Sequence, residues 1–372
     1  MPQPRPAAAA SLPAQGPEPA PASAGPVVGW WPYSYDASIA SVRIRCLHPL
    51  EALQRAGYPV ELYDAKNADR YEVVLFSKHL GQQSLDAART LKRGGARIIY
   101  DICDNYFSNP EEQAKRQAKM GRLRQFLDLA DRVVVSTDAL AEVVTAEAKL
   151  AQPVVVVGDA VEPEADDVPI PLWRSWLGAA KARFWMQRLR RQRRQGRHAL
   201  VWFGNRGSSF SGGIRDLATI RDTLEAVNRD FPLSLTVVSN SRRAYKETVE
   251  GWSVPTRYVA WDLKSAASII AAHDVAVIPV VANPITVCKT NNRLAYALHL
   301  GVAVVADPIP SYEAFSAACI LGDWEDGLRG YLADPSLRER HVAEGRAIIG
   351  RDWTIERIAA QWAALFDSVL QR

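Results

Sequence analysis

Short β-branched runs alternate along the chain with longer stretches whose apolar residues recur at helical spacing. In the first half, Pro26–Trp31, Pro59–Tyr63, Tyr71–Ser77, Arg97–Tyr100, Arg132–Ser136 and Pro153–Val157 predict strands. Between them Ser38–Ala56, Gln83–Lys92, Glu111–Leu129 and Thr137–Lys149 predict helices, with Gly57 and Gly94-Gly95 as stops. In the second half, Ala199–Phe203, Leu233–Ser239, Arg257–Val259, Val275–Pro279, Val302–Ala306 and Ile320-Leu321 predict strands. They alternate with helices over Ile214–Arg229, Lys264–Ala272, Thr290 or Asn291 to Leu300, Trp324–Leu332, Leu337–Gly350 and Ile355–Leu370. Strands that are apolar on both faces and separated by helices call for parallel sheets covered on both sides. The expected fold is α/β, two Rossmann-like doubly wound domains facing a cleft, with ligands at the carboxyl ends of both sheets.

Domain limits follow the same pattern. Residues 1–26, Pro- and Ala-rich and without the apolar core of a signal peptide, predict a disordered tail. Residues 27–160 and 198–352 form the two domains, 161–197 the connection, and 353–372 a last helix packing back toward the first domain. At 372 residues two cores are the natural expectation.

One segment concentrates candidate chemistry. Before Gly301, the expected C-cap, runs a helix with Thr290 or Asn291 as its N-cap, whose start holds Lys289, Thr290, Asn291, Asn292 and Arg293. Cations are unfavourable at the positive end of a helix dipole, so their presence there points to an anion such as a phosphate or diphosphate. Gly204-Asn205-Arg206-Gly207 and Gly212-Gly213 follow a strand and would let backbone N–H groups approach the same anion, although a plain tight turn needs the same residues. In the first half, Lys78, His79, Asp101 and Asp104 follow strands, and Asp101, Asp104 or His79 are the candidate bases for an acceptor hydroxyl; loop-capping is the competing role. Arg43 and Arg45 are either holders of an acceptor phosphate or solvated helix charges. His273-Asp274 and Trp261 fit capping and core packing.

Charge adds one feature. The net charge is +4, yet Leu172–Arg197 alone holds nine basic residues and no acid, which leaves the rest of the chain at −5. A single basic patch excludes general nucleic-acid coating. Leu172, Trp173, Trp176, Leu177, Ala180 and Phe184 share one helix face, with Arg174 and Lys181 opposite, which fits an interfacial helix on an anionic membrane. A solvated charge run or a partner-protein contact fits the same residues. Four cysteines without CxxC spacing argue against zinc or a disulfide framework and for a reducing cytoplasm.

In order and spacing, V-W-F-G-N-R-G (Val201–Gly207), A-A-H-D-V-A-V-I-P-V (Ala271–Val280) and the Lys289–Arg293 helix with L-G-V-A-V-V-A-D (Leu300–Asp307) resemble the donor-binding half of GT-B nucleotide-sugar glycosyltransferases of the family 4, or group 1, type. R-V-V-V-S-T-D-A-L-A (Arg132–Ala141) is similar to a segment of its acceptor domain, and Y-D-I-C-D-N-Y-F (Tyr100–Phe107) resembles the aspartate pair after a strand in some bacterial polysaccharide glycosyltransferases. The resemblance implies a metal-independent hexosyltransferase in surface polysaccharide synthesis that uses a nucleotide-sugar donor as substrate, with no cofactor. The implied acceptor is a glycan or lipid-linked molecule, and the implied location is cytoplasmic and peripheral at the inner membrane face. It implies donor contacts from Gly204, Asn205, Arg206, Gly212, Gly213, Asp262 and Lys289 through Arg293, with Arg206, Lys289 and Arg293 stabilising the leaving group. The sequence departs from the family at three places. Its Glu-x7-Glu positions fall on Cys288 and Tyr296, and its diphosphate lysine on Gly212. These losses leave the stereochemical outcome open and give weight to two alternatives, an inactive GT-B scaffold protein and a GT-B-like sugar-nucleotide epimerase.

Overall fold

The first sheet has the strand order β2-β1-β3-β4-β5-β6, built from β1 Val27–Pro32, β2 Val60–Leu62, β3 Tyr71–Ser77, β4 Arg97–Ile102, β5 Arg132–Val135 and β6 Val155–Val156. The second has the order β12-β11-β10-β7-β8-β9, built from β7 His198–Gly204, β8 Leu233–Ser239, β9 Thr256–Ala260, β10 Val275–Ile278, β11 Ala303–Ala306 and β12 Ile320–Leu321. Every strand pair is parallel. This is a computed structural model, and it describes residues 27–108, 113–150, 153–162, 172–207 and 212–371. The expected tail over residues 1–26 lies outside the described residues, as do Ser208–Ser211 of the glycine loop and the side chains of Trp173 and Trp176.

The period of two in the strands sets the layers. Val73 and Leu75 of β3 face one side, with Val28, Trp30, Ile99 and Val134; Val74 and Phe76 face the other, with Ile98, Tyr100, Val133 and Val135. The second side is covered by the helices Gln82–Arg93, Gln113–Leu129 and Asp138–Ala148. The first is covered by His48–Arg55 and by the C-terminal helix Ile355–Leu370, whose Ile358, Trp362, Leu365, Phe366 and Val369 are all buried there. Trp362 lies 4.9 Å from Trp30 between ring centroids, and Tyr58 donates to Asp367 at 2.7 Å. The chain's last helix therefore belongs to the core of its first domain.

Two expected helices take different forms. Ser38–Ala56 is interrupted by a π-helical turn, Arg43–Leu47, between Ala40–Val42 and His48–Arg55. Pro49 has no N–H to return to the carbonyl of Arg45, so regular α bonding cannot run through this point. Ile214–Arg229 divides into a 3-10 segment, Ile214–Ile220, and an α-helix, Arg221–Asp230. A helix over Arg242–Thr248, capped by Ser241 on the N–H of Ala244 at 3.2 Å, was not signalled by apolar periodicity, because only Ala244 and Tyr245 are buried in it. Gly301 closes Asn292–His299 with φ +85, as its position predicts.

Candidate functional site

In each sheet the strand order reverses at one point, and ligands of such folds sit at the carboxyl end of that point. In the first sheet the loops there follow β1 and β3; in the second they follow β7 and β10. The loop after β3 places Lys78 and His79 beside Trp31, Tyr33, Leu80, Gly81, Gln83 and Ser84 around an open cavity of about 440 Å³. His79 packs edge-on against Trp31 and bonds the Trp31 carbonyl through Nε2 at 3.1 Å; burial holds its imidazole at about 4, so it is neutral. Lys78 has φ +61, a left-handed backbone without glycine.

Asp104 follows β4. Its Oδ2 receives Nζ of Lys78 at 2.6 Å and its Oδ1 receives Nζ of Lys289, from the second domain, at 2.6 Å. Burial works to raise this carboxyl, but the two lysines outweigh it and hold it at about 2. Asp101, at the end of the same strand and fully buried, takes a different partner. Arg45 reaches it at 2.7 Å and reaches Asp159 at 3.1 Å, with the guanidinium 5.0 Å from the Trp362 ring centroid. Arg43 pairs with Glu162 at 2.5 Å. Arg43 and Arg45 are 2% and 1% exposed, so they are neither solvated nor open to an acceptor phosphate: the expectation is corrected for both.

Across the cleft, β7 ends at Gly204, where an added Cβ would lie 3.0 Å from the Trp202 ring and 3.7 Å from Nη1 of Arg293. Gly207, Gly212 and Gly213 have φ of +68, +70 and +132, and a Cβ on Gly207 would overlap the Gly212 backbone. Glycine is required at this loop closure. The Gly213 N–H donates to Asp216 at 3.2 Å; burial raises the Asp216 carboxyl, against the lowering effect of Gly213 and Arg293. Arg293 is half-buried between this loop and Tyr312.

Asn291 stands at the N-cap of Asn292–His299 but makes no side-chain cap bond, contrary to expectation. It is 2% exposed, and its Nδ2 has no partner among the described residues. Asn292 donates to Asp159 at 2.9 Å, and Thr290 lies in the link to Lys289. Asn205 and Arg206 are exposed: Asn205 accepts from Gly207 at 3.0 Å, while the Arg206 N–H is held by Asn240 at 2.8 Å and its charge acts on Glu247. Asp262 accepts from the N–H groups of Lys264 and Ser265 at 3.2 and 3.1 Å, a loop cap.

Thus the fold brings together Arg293, Gly204, Gly212, Gly213 and Asn291 on one side and Lys289, Asp104 and Lys78 on the other. It ties Asp101 into a buried ion cage and gives Arg206 and Asp262 local roles. The sequence placed Lys78 after a strand without giving it a role, and it did not single out Asp159. A lysine at positive φ leaves no pattern, and Asp159 lies in a polar loop. Cys288 is buried, donates to the Pro284 carbonyl at 3.4 Å and packs within the first domain's core, while Tyr296 packs near Phe203.

No protein-family model matches the chain, and no curated protein matches its sequence. Solved structures do match its shape. HepE of Anabaena in complex with UDP superposes with a TM-score of 0.61 at 13% identity, covering 92% of this chain and 100% of that one. Sucrose-phosphate synthase of Thermosynechococcus elongatus gives 0.63 at 15% identity, covering 93% and 100%. An E. coli trehalose-6-phosphate structure with bound UDP-2-fluoro glucose gives 0.52 at 13%, covering 86% and 76%. The chain has the GT-B fold: two Rossmann-like domains facing a cleft.

Proposed function

We propose that the protein is a glycosyltransferase that moves a sugar from a nucleotide-sugar donor to a hydroxyl of a glycan or lipid-linked acceptor in surface polysaccharide synthesis. One observation carries this. At the start of Asn292–His299, an amide of Asn291 that is buried and unpartnered among the described residues stands next to Arg293, which faces the glycine-only end of β7. A buried donor without a partner is costly, and a ligand oxygen would satisfy it. Helix N–H groups, the Arg293 guanidinium and a loop stripped of side chains together suit a diphosphate. The matched HepE structure holds UDP and the matched E. coli structure a UDP-sugar, which supports the same ligand class here.

In the transfer, an acceptor hydroxyl oxygen bonds to the anomeric carbon as the bond from that carbon to the diphosphate oxygen breaks. Negative charge then builds on the diphosphate, and Arg293, Lys289 and the helix start neutralise it without a metal. Asp104, held at about 2, is a poor proton acceptor near neutrality, and Asp101 is fully buried against Arg45, out of reach of an acceptor hydroxyl. The diphosphate oxygen that gains charge is the better acceptor for the hydroxyl proton. His79 and the cavity around Trp31 then serve to seat the acceptor.

Exposed residues of the helix Leu172–Arg194 add a cytoplasmic, membrane-surface location to the proposal. Lys181 bonds inward to the Ala260 carbonyl at 2.6 Å and Leu189 is buried, whereas Phe184 is 56% exposed beside exposed Arg183, Arg188 and Arg191. Among the described residues no helix is long and apolar enough to cross a membrane.

A thermal-shift panel of nucleoside diphosphates and nucleotide sugars tests the proposal, since a ligand that binds only the native state raises its melting temperature. One base series is expected to stabilise the protein, and Arg293→Ala to abolish the shift. No shift with any nucleotide refutes donor binding, and binding without transfer or hydrolysis identifies a scaffold protein.

A further inference from the structure

Asp104 holds one lysine from each domain on its two oxygens, both at 2.6 Å. Lys78 reaches it from a left-handed backbone that costs roughly 1 kcal/mol or more for a side chain with a Cβ. Lys289 lies immediately before the link to Asn291, Asn292 and Arg293. An anion arriving at that helix start therefore meets a lysine already neutralised by the opposite domain.

Resting on the donor-site proposal above, we propose that Asp104 is a resident counter-ion. It pairs Lys78 with Lys289 across the cleft in the empty protein and releases Lys289 to the arriving diphosphate, so that ligand binding exchanges an interdomain ion pair for a ligand contact. Lys78 makes the exchange feasible: it stays on Asp104 when Lys289 leaves, so the half-buried carboxylate is not left without a cation. A ligand gains only the difference between the two states, so the wild-type protein binds a diphosphate more weakly than its cations alone would allow. The same exchange loosens one of the ties between domains, which also include Asn292 to Asp159 at 2.9 Å, Asn105 to the Pro284 carbonyl at 2.8 Å and Thr137 to the Cys288 carbonyl at 3.1 Å.

The test is calorimetric titration of the full chain with inorganic pyrophosphate and with UDP, GDP and ADP. The variants are Asp104→Asn, Lys78→Met and the two combined. Asp104→Asn is expected to bind pyrophosphate about tenfold more tightly, within the usual range of coupling between sites. Lys78→Met is expected to weaken binding several-fold in the wild-type background, because Asp104 then depends on Lys289 alone, and to have no effect in the Asp104→Asn background. Equal or weaker binding by folded Asp104→Asn overturns the inference while leaving the donor site standing. Should that variant not fold, unchanged or tighter binding by Lys78→Met overturns it equally. If no protein in the set binds pyrophosphate or any nucleotide, the donor-site proposal falls and takes this one with it.

Discussion

Replacing Arg45 with methionine removes the single cation from a buried cage. The Arg45 side chain is 1% exposed; it reaches Asp101 at 2.7 Å and Asp159 at 3.1 Å, and donates to the carbonyls of Val157 and Gly158. Asp101 is fully buried. Methionine keeps most of the aliphatic stem against Trp362, so packing loss is small and the main effect is an uncompensated charge. Breaking one partner of such a pair costs about 3–5 kcal/mol. For domains of this size that lowers the melting temperature by roughly 10 °C. Urea and thermal unfolding of Arg45→Met, Asp101→Asn and the double variant measure it, with the double variant expected to recover part of the loss. Because Asp159 also holds Asn292, beside the proposed anion site, Arg45→Met should weaken nucleotide binding as well. A variant within about 1 kcal/mol of wild type would refute the assignment of Arg45 as the anchor of the cage.

Two further predictions follow from the charges. Asp104 is depressed to about 2 in the folded protein, so its contribution to stability is present above the ordinary carboxylate range and is lost as pH falls through about 2. Acid titration of stability should show the wild type losing about 1–2 kcal/mol more than Asp104→Asn between pH 4 and 2, and parallel curves would contradict this. On the membrane, reversing Arg183, Arg188 and Arg191 to glutamate should abolish co-sedimentation with vesicles containing anionic lipid while leaving nucleotide binding intact. Equal sedimentation by wild type and variant removes the membrane contact from the account.

Much of the architecture was legible because a parallel sheet needs strands apolar on both faces, and β3, β5 and β11 carry little else. Gly301 and Thr137 announced their helix ends; Thr137 caps the N–H of Leu140 at 3.2 Å, as its residue type allows. The π turn was hidden because Ser38–Ala56 has helical composition throughout and one missing N–H, that of Pro49, decides the local bonding. The roles of the arginines were hidden for a different reason. Arg43, Arg45, Arg206 and Arg293 look alike in sequence, and only the third dimension tells which are neutralised in the core, which is exposed and which faces the glycine loop. Asp101 and Asp104 show the same limit: three residues apart, one is locked to Arg45 and the other bridges two domains.

The most direct test of the central claim is a crystal structure of the protein with the nucleoside diphosphate that stabilises it most. The account predicts the diphosphate at the start of Asn292–His299, contacted by Asn291 Nδ2 and Arg293 and lying against Gly204, with Lys289 turned from Asp104 toward it. A diphosphate bound elsewhere, with the Asn291 amide still unpartnered and Lys289 still on Asp104, would contradict it.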